Sequence, residues 1–186
     1  MGYEIALKNS WNTLIDLLKK RQQSTKEFVV IFLGEKYWVK PNLELVCNGR
    51  EVAKQWLSLL IIHYLLRKIA GLPKITGQWI SFRELPGGDS YYPAFRRRVL
   101  LSLIDKFGHN PLDLYNCLKH LPGEKVKQAD AAIRLEVFPE VPVLIEIWGE
   151  DEELPAEVNM LFDQNISQVF CTEDIAVLAG FIAQKI

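Results

Sequence analysis

The stretch WISFRELPGGDSYYPAFRRR, Trp79 to Arg98, holds the residues whose types and spacing suggest chemistry. Arg83 and Glu84 precede a Pro86-Gly87-Gly88 turn, and Pro93 precedes the run Arg96-Arg97-Arg98. If Pro93 is the first helical residue, the three arginines fall at the fourth to sixth helical positions. Cations there oppose the helix dipole by about 0.3–1 kcal/mol each, so a compensating negative charge is expected. Gly87 and Gly88 can expose backbone N–H groups, a helix N-terminus attracts anions, and Arg83 can reach the same place. The candidate ligand-binding set is therefore Arg83, Glu84, Gly87, Gly88 and Arg96, joined by His63 from a preceding helix. The negative partner is either a small bound anion or the acidic loop Glu150-Asp151-Glu152-Glu153; plain solvation is the third reading, and the sequence leaves the three open.

Other constellations are weaker. His63 lies among Leu59, Leu60 and Leu66, where a core histidine bonded to a backbone carbonyl competes with a general base. His109 and His120 adjoin helix ends and suit surface roles. No HExxH or facial-triad spacing occurs, and the acidic loop lacks the spaced ligands of a calcium loop, so no metal is expected. No nucleophile elbow, phosphate loop or dinucleotide fingerprint is present, and no cofactor is expected beyond a small anion.

The elements that must position these residues follow from periodicity. Residues 3–22 carry Ile5, Trp11, Leu14, Ile15 and Leu18 on one helical face. Phe28–Leu33 and Lys36–Val39, joined by Gly34-Glu35, suggest a II′ hairpin, and residues 43–47 suggest a third strand. Asn48 with Glu51 resembles a capping box opening a helix that runs to Ala70, apolar nearly all round, with Gly71 and Pro73 closing it. Residues 78–83 suggest a strand. Pro93–Phe107 stacks Phe95, Val99, Leu103 and Phe107 as a helix with Gly108 at C′, and Asn110-Pro111 opens another to Leu121. Alternation at 133–137 and 143–147 gives an antiparallel hairpin with one solvated face, and Val158, Met160 and Phe162 mark a further strand. Asp163 is expected to cap a short helix and Thr172 the last one.

Helix, strands, helices, strands and helices in that order, with no βαβ alternation, predict α+β. The expected form is a mainly antiparallel sheet built from an N-terminal meander and a C-terminal hairpin, packed around a buried central helix. At 186 residues the chain is read as a single domain, 1–186. A net charge of -1 argues against nucleic-acid and membrane-surface partners. The longest apolar run, Trp56 to Leu66, is too short to span a bilayer, and the start lacks a basic region and cleavable apolar run. Cys47, Cys117 and Cys171 form no CxxC and read as buried free thiols in a reducing cytoplasm.

Three segments carry a family resemblance: LLIIHYLL (Leu59–Leu66), WISFRELPGG (Trp79–Gly88), and Trp148 to Pro155 with Leu161-Phe162-Asp163. They resemble domain-of-unknown-function family 3786 across most of the chain. The resemblance implies anaerobic bacteria and archaea, iron–sulfur domain proteins as candidate partners, and no established activity. The chain has no four-cysteine cluster pattern and so resembles the bare domain. The family pattern Gly-Asp-Ala stands here as Ala129-Asp130-Ala131. Three functional classes remain. The first is a cytoplasmic domain binding a small molecule or protein, with a role in anaerobic metalloenzyme or cofactor metabolism implied by the resemblance alone. The second is an enzyme using Arg83 and Glu84 with His63 or Asp130. The third is an interaction module whose acidic loop docks a basic partner.

Overall fold

Apolar residues at helical spacing form α1 (Gly2–Lys20), which buries Trp11, Leu14 and Leu18. The computed structural model describes residues 2–22, 27–42 and 44–186. Strands β1 (Phe28–Phe32) and β2 (Glu35–Val39) pair antiparallel with Phe32 opposite Glu35. The loop is therefore Leu33-Gly34, one residue earlier than expected. Both residues have positive φ, 48° and 79°, which makes the turn type I′ rather than II′. Leu33 holds this left-handed backbone at a steric cost, and its side chain is buried.

The next expectation is also corrected. Strand β3 (Leu45–Cys47) turns through Asn48-Gly49, again with both φ values positive, into β4 (Arg50–Glu51). Asn-Gly acts as a hairpin turn here, because both residues tolerate the left-handed region that a helix start does not use. Leu43, at the expected start of the third strand, lies outside the described residues. Helix α2 (Gln55–Ala70) begins after Lys54, which makes no side-chain cap. It buries eight residues in succession save His63, from Leu57 to Leu65, and packs against α1 and β1.

The chain forms two compact units, Met1–Pro73 and Lys74–Ile186. The second contains β5 (Trp79–Ser81), a 3-10 turn (Phe82–Glu84), α3 (Gly88–Phe95), a π-helical turn (Arg96–Leu100) and α4 (Leu101–Phe107). A 3-10 helix (Pro111–Lys119) then leads to β6 (Gly123–Val126), β7 (Ala131–Phe138), β8 (Val141–Trp148) and β9 (Glu157–Asp163). A second 3-10 turn (Gln164–Gln168) precedes α5 (Thr172–Lys185). The architecture is α+β with antiparallel sheets. The meander and the hairpin, however, do not share a sheet: one runs β1-β2-β3-β4 and the other β5-β9-β8-β7-β6. The helix expected at the centre is a first-unit element. Between β4 and β5 the chain supplies α2 and an irregular segment, with no strand that could join the sheets.

Asp163 caps the 3-10 turn through the Asn165 N–H, as expected, and does more. Its other oxygen accepts from the Thr76 N–H (2.8 Å), the Thr76 hydroxyl (3.0 Å) and the Gly77 N–H (2.9 Å). This pins the segment before β5 to the end of β9. Burial raises the Asp163 carboxyl, but these hydrogen bonds outweigh it and hold the group below its ordinary range. Cys171, not Thr172, is the N-cap of α5; the Thr172 hydroxyl instead donates to the Pro86 carbonyl at 2.7 Å. Of the three thiols only Cys117 is buried, while Cys47 is intermediate and Cys171 exposed.

Candidate functional site

The motif Phe82–Gly88 folds as a corner between β5 and α3. Phe82 is buried and stacks on Phe95 with ring centroids 4.0 Å apart. Glu84 accepts from the Ser81 N–H (2.7 Å) and hydroxyl (2.8 Å), completing a capping box, and those bonds hold its carboxyl below the usual range. Arg83 donates through Nε to Asp89 at 2.9 Å, and its guanidinium lies 4.6 Å from the centre of the Tyr92 ring. The hydrogen bond to Asp89, with its charge, raises the already high pKa of Arg83. Gly87 has φ 72°, and a Cβ on Gly88 would sit 2.0 Å from the Phe82 carbonyl oxygen. The Gly88 N–H donates to the Leu85 carbonyl at 2.8 Å, so this amide is already used inside the corner. Each member of the motif therefore has a local structural task.

Helix α3 starts at Gly88, five residues before the expected N1 proline. Pro93 lies inside it, where it provides no N–H for Asp89 and crowds that carbonyl. The chain answers with the π-turn, in which the Leu101 N–H reaches back to the Arg96 carbonyl. Arg96, Arg97 and Arg98 thus stand more than two turns from the helix start, beyond the range of its dipole. The compensating charge inferred for them is not required. All three are exposed, and none makes an ion pair among the described residues.

The π-turn also sets a line of side chains. Four residues overshoot an α-turn by about 40°, so Tyr92, Arg96, Leu100 and Ile104 would drift by about 120° along a regular helix. The wider turn takes up part of that drift, and all four line one cleft of about 670 Å³. Opposite them stand Asp130, just before β7; Trp148 and Gly149 at the end of β8; the loop residues Asp151 and Leu154–Ala156; and Glu157–Asn159 of β9. Asp130 is held by the Gly149 N–H at 2.8 Å. Asp151 accepts from the Glu153 and Leu154 N–H groups at 2.8 and 2.7 Å, in that order of effect on its carboxyl, which they keep below the usual range. The helical side of the cleft thus carries Arg96 with Tyr92, Leu100 and Ile104, and the other side carries three carboxylates with Trp148.

The residues singled out from sequence fall into three places. Arg96, Asp130 and Asp151 meet at the cleft. Arg83, Glu84, Gly87 and Gly88 build the corner that orients Tyr92. His63 belongs to the first unit, where its Nε2 is 2.8 Å from the Ser10 hydroxyl. Within the acidic loop, Glu150 lies 2.5 Å from His109 Nδ1, and Glu152 and Glu153 are exposed. A shallower hollow of about 380 Å³ lies between Pro86, Tyr91 and the start of α5. Tyr92, Leu100, Ile104, Trp148, Glu157 and Asn159 were missed. The 92/96/100/104 spacing was readable beside the buried 95/99/103/107 stripe, but only the latter is uniformly apolar.

Ala129 has φ 52°, in the left-handed region that favours glycine. A residue with a Cβ is strained there, while Asp130 keeps its bond to the Gly149 N–H. Among the described residues there is no helix long and apolar enough to cross a membrane, and no group of three His, Cys, Asp or Glu placed to hold a metal. No curated protein and no solved structure matches the chain. The model of the family described as Domain of unknown function (DUF3786) matches residues 12–185, nearly the whole chain, and the chain belongs to that family.

Proposed function

We propose that the second unit is a ligand-binding module for a small organic molecule, held in the cleft between the Tyr92–Ile104 stripe and the β8–β9 connection. The observation that carries this reading is the cleft itself. Its volume of about 670 Å³ lies within the ~300–1,000 Å³ of small-molecule sites, and it combines aromatic and aliphatic walls with a few convergent charges. Asp130 and Asp151 are held in place by backbone N–H groups, and Tyr92 by the Arg83 stack, so ordering them on binding costs little. The enzyme reading centred on Arg83, Glu84 and His63 is less favoured, because Arg83 and Glu84 are committed to the corner. Service to anaerobic metalloenzyme or cofactor metabolism, in the cytoplasm and with iron–sulfur proteins as partners, belongs to the proposal on the strength of the family resemblance alone.

The test is an NMR screen of a polar-metabolite library against the full chain. Hits are expected to shift the amide and side-chain signals of Tyr92, Arg96, Trp148 and Asn159, and Asn159→Trp is expected to abolish them by filling the cleft. Hits mapping to other surfaces, or an Asn159→Trp protein that binds as before, would overturn the assignment.

A further inference from the structure

The charges around the cleft are of both signs and are not spent on each other. Arg96 stands on the helical wall, and Asp130, Asp151 and Glu157 stand on the opposite one. Among the described residues no ion pair joins Arg96 to any of the three. An anion seated at Arg96 alone would face three carboxylates; a simple cation seated among the carboxylates would leave Arg96 as a like-charge neighbour. A ligand carrying both charges satisfies each wall and avoids both repulsions. Each side also carries apolar or aromatic surface, Leu100 and Ile104 beside Arg96 and Trp148 beside the carboxylates, available to an uncharged body.

We propose that the cleft recognises a zwitterion, a molecule with a carboxylate for Arg96, an ammonium group for the carboxylate wall and an apolar body between or beside them. The inference rests on the ligand-binding reading above. It assigns Arg96 a planar fork suited to a carboxylate, and Asp130 and Glu157 the acceptors for ammonium N–H groups. Amino acids with apolar side chains and longer amino-carboxylates both belong to this class, and the spacing of the two charges distinguishes them.

Calorimetric titration of the full chain uses two matched series. Phenylalanine, phenethylamine and 3-phenylpropionate share one ring and carry both charges, the ammonium alone and the carboxylate alone. 6-Aminohexanoate, hexylamine and hexanoate repeat the comparison with the charges further apart. At least one zwitterion is expected to bind more tightly than either of its single-charge relatives, by up to about five-fold, the gain available from one exposed ion pair. Arg96→Ala is expected to reduce that zwitterion to the affinity of the amine. The double variant Asp130→Asn, Glu157→Gln is expected to reduce it to that of the acid, since the amide introduced by Asp130→Asn keeps an acceptor for the Gly149 N–H. Arg97→Ala, off the cleft, is expected to keep the full difference. A single-charge relative that equals its zwitterion in both series overturns the proposal while leaving the cleft a binding site. No binding in either series, with circular dichroism of the protein intact, also overturns it; the library screen then reports separately whether the ligand-binding reading survives.

Discussion

Replacing Gly88 by alanine tests whether the FRELPGG corner is a steric device. A Cβ there would lie 2.0 Å from the Phe82 oxygen and 3.1 Å from the Arg83 oxygen, both backbone atoms that cannot rotate aside. The corner must open, an overpacking cost of about 1–3 kcal/mol. Opening also weakens the Gly88 N–H bond to Leu85, worth about 0.5–1.5 kcal/mol. The stiffer unfolded chain returns about 0.4–1 kcal/mol, so the expected loss is about 0.5–4 kcal/mol. Gly87→Ala is the internal control. Its φ of 72° costs about 1–2 kcal/mol for a residue with a side chain, but nothing lies within 4 Å. The stiffer unfolded chain again returns about 0.4–1 kcal/mol, so its net loss is about 0–1.6 kcal/mol. Urea unfolding is followed by tryptophan fluorescence in a background with Trp11, Trp38 and Trp56 changed to phenylalanine, so that Trp79 and Trp148 report the second unit. A Gly88→Ala protein no less stable than Gly87→Ala would refute the steric account. Full recovery of Gly88→Ala in phosphate would instead revive an anion loop.

Three further outcomes are expected. Leu60→Ala removes a side chain only 1% exposed and lowers the stability of the first unit by about 2–5 kcal/mol in urea unfolding that keeps Trp11, Trp38 and Trp56 as reporters and changes Trp79 and Trp148 instead; a loss under about 0.5 kcal/mol would mean that α2 is not its core. Asp163 has a depressed folded pKa, so its contribution is present above the unfolded value near 3.9 and lost as pH falls through the folded one. Asp163→Asn should therefore cost about 1–3 kcal/mol at pH 7 and flatten the stability profile below about pH 4, and an unchanged acid limb would refute this. Ala129→Gly relieves about 1–2 kcal/mol of left-handed strain against about 0.4–1 kcal/mol of added chain entropy, so the melting temperature should hold or rise; a clear fall would contradict the strain.

The sequence carried the element types better than their boundaries. Regular periods marked α1 and the β7–β8 hairpin, because unequal burial of two faces writes itself into spacing, while α2 showed as a nearly unbroken apolar run. The failures share a cause: residues that signal more than one local structure. Asn48-Gly49 serves a helix cap or an I′ turn, and only the partner strand decides. Pro93 serves as N1 or as an internal break, and the choice rests on Gly88 fitting against the Phe82 carbonyl, a contact no local pattern encodes. Half of the cleft was legible for the same reason. Arg96, Asp130 and the acidic loop stood out as charges, whereas Trp148, Glu157 and Asn159 acquire their role only from sheet register. Glu157 opposite Trp148 and Asn159 opposite Glu146 are consequences of that register.

The β5–β9 pairing has a consequence for the order in which the chain takes shape during synthesis. In the first unit, the sheet pairs and the residues that bind α1 to α2 all lie within the first 73 positions, so that unit can close early. The second begins with a strand whose partner comes last. Thr76 is separated from the Asp163 carboxylate that holds it by 87 residues, and at roughly 5–20 residues per second that is a wait of roughly 4–17 s. Throughout it, Trp79, Ile80 and Ser81 have no sheet edge to join, while β6, β7 and β8 zip together by short connections. Ribosome-bound chains arrested before Asp163 should therefore resist protease in residues 1–73 yet be cut around residues 74–82, and protection should appear only once β9 clears the exit tunnel. Equal protection of both segments in the shorter chains would show that β5 finds a temporary partner.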